Sequence, residues 1–185
     1  MDELAILRDQ VATERRHLAA LKKACRAALE AGGNAAGLAE TCRVATAYLL
    51  YSTRRLHAQD QAHCLLLRPR LPRTDTASHA LLDDLEETLQ RSRAALQDLE
   101  AAVDPVTGTR AWLAFIDNVL GKRRHGLEHL FREHYTIDDW RASSCVDADS
   151  ILEERERFAA ACAAFPPGLA PEAGADAGAG TGATG

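Results

Sequence analysis

The sequence predicts an all-α protein: an up-down-up-down four-helix bundle, a short fifth helix and a disordered C-terminal tail. Three observations carry this. Apolar residues recur at steps of three, four or seven along most of the chain. No stretch shows the β-branched alternation of a strand. Turn signals cluster at a few places, Gly32-Gly33-Asn34, the Pro-rich stretch Arg68 to Arg73, and Val103 to Gly108, with long unbroken segments between them.

The first segment, residues 2–31, places Leu4, Leu7, Val11, Leu18, Leu21, Cys25 and Leu29 along one stripe. The second, 36–67, carries Leu38, Cys42, Ala45, Leu49, Leu56 and Leu66. The third, about 75–102, shows Leu81, Leu82, Leu85, Leu89, Leu96, Leu99 and Val103. The fourth is expected to open at Thr109 as N-cap and to run through Trp112, Phe115, Ile116, Val119, Leu127, Leu130 and Phe131. Long helices joined by short connections favour antiparallel neighbours. Ser150-Ile151-Leu152-Glu153 has the form of a capping box and opens a fifth helix ending near Ala164. From Pro166 the chain is Gly, Ala, Pro and Thr with two acids and a single leucine, Leu169, which cannot build a core. The expected organisation is a bundle over 1–142, an added helix over 143–165 and a tail over 166–185.

Composition narrows the function classes. Across 185 residues, 22 basic side chains face 27 acidic ones, a net charge of −5. That is a poor match for a nucleic-acid binder, which needs a clustered positive excess. No apolar run is long enough for a membrane span. The acidic start, Met1-Asp2-Glu3, is unlike a secretory signal, so a cytoplasmic protein is expected. The five cysteines are scattered with no C-x-x-C pair, which argues against a disulfide framework or a thiolate zinc site.

The histidines are the chemical signal. His17 lies mid-way along the first helix, His57 late in the second, His79 early in the third, and His125 and His129 late in the fourth. In an antiparallel bundle these positions are expected to come level at one end. Asp60 follows His57 by three residues and Glu128 follows His125 by three, the spacing at which two side chains of one helix can reach one metal ion. First-row metals accept such imidazole and carboxylate donors. His63 and His134 point away from these faces and read as ordinary surface or core histidines. Tyr48, Tyr51, Trp112 and Phe115 read as core residues able to wall a pocket.

The pattern resembles the hemerythrin-like proteins of the HHE cation-binding type. The resemblance lies in Glu14-Arg15-Arg16-His17, Leu56-His57-Ala58-Gln59-Asp60-Gln61, Leu65 to Leu71, Ser78-His79-Ala80-Leu81-Leu82 and Arg124-His125-Gly126-Leu127-Glu128-His129, and covers about residues 5–140. It implies a four-helix bundle with a non-haem diiron centre that binds or senses dioxygen, peroxide or nitric oxide. The implied metal ligands are His17, His57, Asp60, His79, His125, Glu128 and His129. The implied cofactor is iron, two ions per chain, with zinc or another first-row metal as the alternative.

Two positions depart from the family. Its second and fourth helices carry His followed four residues later by Glu, where this chain has Gln61 and His129. In the fourth helix a shift to His129 with Glu133 restores the spacing. The string His125-Gly126-Leu127-Glu128-His129 also matches the inverted zinc-peptidase motif, but Gly126 weakens the helix that motif requires. Two other functions stay open on the sequence: a metal-dependent oxidoreductase acting on a small substrate, and a metal-free helical interaction module.

Overall fold

The computed structural model describes residues 3–119, 130–131, 133–143 and 148–171. Among them lie the α-helices α1 (Glu3–Ala31), α2 (Ala35–Leu67), α3 (Thr76–Ala101), α4 (Pro105–Val119), α5 (Ile137–Ser143) and α6 (Ala148–Ala163), with further helical residues at 130–131 and 133–134. A 3-10 turn, Arg68–Arg70, ends α2. The described residues contain no strand, and none of their helices is long and apolar enough to cross a membrane.

Local chemistry sets the helix ends. Gly32 and Gly33 take positive φ, 72° and 87°, which breaks the chain after α1. Asn34 then caps α2, its side chain accepting from the Ala36 amide at 3.0 Å. Asp75 caps α3 by accepting from the Ser78 amide at 3.0 Å. The fourth helix opens earlier than the sequence suggested. Asp104 accepts from the amides of Val106 and Thr107, and Pro105 takes the first helical position, where its missing N–H costs nothing. Thr109 is no cap; it is buried, and its hydroxyl meets that of Thr46 at 3.1 Å. α6 likewise begins at Ala148, before the expected Ser150.

The helix α5 was not foreseen. A reciprocal capping box builds it: the Thr136 amide donates to Asp139 at 2.7 Å, and the Asp139 amide donates to the Thr136 hydroxyl at 3.3 Å. Arg70 holds Asp139 from the turn after α2, pairing with both carboxylate oxygens and also donating to the His134 carbonyl at 3.0 Å. That guanidinium holds the Asp139 carboxyl far below the usual range.

Helices α1 to α4 pack on one another, and α5 and α6 pack on α1 and α2. The larger core joins Leu21, Leu49, Leu96, Trp112 and Phe158. A smaller one, at the far end of α2, joins Cys64, Leu67, Leu71, Leu82 and Leu130. Residues 166–171, expected to begin the tail, form a turn with Leu169 against the larger core; residues 172–185 lie outside the described residues.

The α3–α4 junction is a close approach. A Cβ on Gly108 would sit 2.6 Å from the Ala102 Cβ, an atom with no rotamer to escape by. Gly37, in α2, faces open space. Gly108→Ala is therefore expected to destabilise by about 1–3 kcal/mol. Gly37→Ala is expected to stabilise by roughly 0.5–1 kcal/mol. Urea unfolding of the two variants checks both.

Candidate functional site

The middle of α2 is unusually polar for a buried helix. Ser52, Thr53, His57, Gln59 and His63 are each less than one-tenth exposed. A buried polar group needs a partner, and the neighbouring helices supply several.

His17 on α1 faces α6. Its Nδ1 meets Glu154 Oε1 at 2.9 Å, and its ring stacks on Phe158 with centroids 4.0 Å apart and planes 5° from parallel. The Tyr48 hydroxyl donates to the same Glu154 oxygen at 2.6 Å. Beside this pair, Arg55 reaches Glu14 at 3.3 Å. The two carboxylates respond in opposite ways. Burial pushes the Glu14 carboxyl up, only partly offset by Arg55. Burial opposes ionisation of Glu154 too, but the hydrogen bonds from His17 and Tyr48, with the charges of His17 and Arg55, win and hold it low.

His57 faces α3, where its Nε2 meets the Ser92 hydroxyl at 3.1 Å; its Nδ1 has no hydrogen-bond partner. Asp60 is held by Arg15 of α1 at 3.0 Å. Gln61, where the hemerythrin-like pattern would call for a carboxylate, is exposed and paired with Arg93. His63 turns a third way. Three rings of the segment before and within α5 surround it edge-on: Phe131, Tyr135 and Trp140, with centroids at 4.7, 5.1 and 5.4 Å. It is 3% exposed, neither ring nitrogen has a hydrogen-bond partner, and Asp60 lies 3.9 Å from Nδ1. Burial lowers both His57 and His63 to about 4, against the pull of Asp60, so both rings are neutral at pH 7.

His79 sits in the first turn of α3. The pairs His57–Ser92, Arg54–Glu100 and Arg68–Asp83 show α2 and α3 running antiparallel. His79 precedes Ser92 by thirteen residues, or ~20 Å of helix. The structure thus brings Asp60 near His63 but directs His17, His57 and His63 to three different neighbours and leaves His79 at another depth. His125, Glu128 and His129 lie outside the described residues. Among the described residues, no group of three His, Cys, Asp or Glu side chains is placed to hold a metal ion. The thiols of Cys25 and Cys64 are pushed up to about 12 by burial, so neither offers a thiolate.

Sequence reasoning missed the Glu14, Tyr48, Arg55 and Glu154 cluster and passed over His63. The cluster joins residues more than one hundred positions apart, and no periodicity records such a pairing. For His63 a signal existed: it follows Gln59 by four residues, one turn on, and both prove buried. No protein-family model, curated protein or solved structure matches the chain.

The buried neutral imidazoles make stability depend on pH. In the unfolded chain each histidine takes up a proton near pH 6.5, whereas in the fold His57 and His63 do so only near 4. Between those values the unfolded chain binds more protons, so stability rises with pH and is lost as pH falls from 6.5 towards 4. Each should cost about 2 kcal/mol at pH 5 relative to pH 7. Urea unfolding at the two pH values measures this, and His57→Gln should reduce the difference.

Proposed function

We propose that the chain is a hemerythrin-like up-down-up-down four-helix bundle that holds a metal ion, iron in the first instance, and binds or senses dioxygen, peroxide or nitric oxide there. One observation supports this most: α2 carries two buried, neutral imidazoles whose nitrogens His57 Nδ1, His63 Nδ1 and His63 Nε2 have no hydrogen-bond partner. Neutral imidazole with a free lone pair is the form that ligates a metal.

His17, His57, Asp60 and His79, as placed here, do not fit a shared dinuclear centre. The reading therefore rests on the α2 imidazoles as two separate candidate ligands, since His57 faces Ser92 and His63 faces Phe131, Tyr135 and Trp140; His125, Glu128 and His129, the other donors the sequence offers, lie outside the described residues. When bound, the metal supplies a Lewis-acidic open position for a small diatomic or peroxide ligand. What the described residues contribute is burial and orientation. Ser92 fixes the His57 ring, Arg15 anchors Asp60, and the aromatic rings around His63 exclude water.

A second reading, a metal-free helical interaction module, is favoured by how fully His17, Tyr48 and Asp60 are paired within the protein. Elemental mass spectrometry of untagged protein after anaerobic iron loading separates the two. The metal reading expects bound iron, and at least half of it lost in His57→Ala or in His63→Ala but retained in His79→Ala. No metal in the wild type would leave the module reading. In that case a chelator would also leave the melting temperature unchanged.

A further inference from the structure

We draw no further inference here: the strongest candidate, the side-chain cluster beside α2 and α5 in which Phe131, Tyr135 and Trp140 close on the unpartnered His63 imidazole, belongs to the metal site already proposed on α2.

Discussion

Everything else in the fold is arranged around the burial of α2. Every other described helix packs against it, so only a narrow strip, with Ala47, Arg54 and Ala58, is left to water along its middle. The rest of a helix in that position is expected to be apolar. Instead α2 carries Ser52, Thr53, His57, Gln59 and His63 inward. An unpartnered polar group in such a place costs about 1–3 kcal/mol. The positions of the neighbours follow from meeting that cost: Ser92 brings α3 to His57, Arg15 brings α1 to Asp60, and Glu154 brings α6 to Tyr48. Where no partner arrives, at His63, aromatic edges close around the ring.

The two carboxylates under α6 show how environment divides one residue type into two roles. Glu14 and Glu154 repel each other, and both lose hydration. Glu154 recovers the loss because two donors converge on one of its oxygens. Glu14 has the Arg55 guanidinium at 3.3 Å and a smaller contribution from Ser52, which do not offset its burial, and it stays the easier of the pair to protonate. Charge in this layer is therefore held on the C-terminal helix and is relaxed on α1.

Much of the fold was legible because helices are local. The apolar stripes, the Gly32-Gly33-Asn34 break and the Pro-rich turn act over one or two helical turns, and the structure keeps all three. Thr136 and Asp139 were also legible in principle, as a Thr-x-x-Asp cap, but lay where the apolar pattern had faded. The site was less legible, for a geometric reason. Bringing histidines level in antiparallel helices depends on where each helix ends, and the connection Leu71–Asp75 sets α3 so that His79 passes beyond the end of α2. Facing is harder still, since a helical wheel shows which residues share a side but not which neighbour that side meets. His17 lay on the right stripe, yet its partner was a glutamate 137 residues away.

The buried thiols have a use of their own. With their pKa pushed up to about 12 by burial, Cys25 and Cys64 stay as thiols at pH 7, and both are screened from solvent. An alkylating reagent can reach them only when the chain opens. Cys25 belongs to the larger core and Cys64 to the smaller one, so the two sulfurs act as separate clocks, one timing the opening of each end of the molecule.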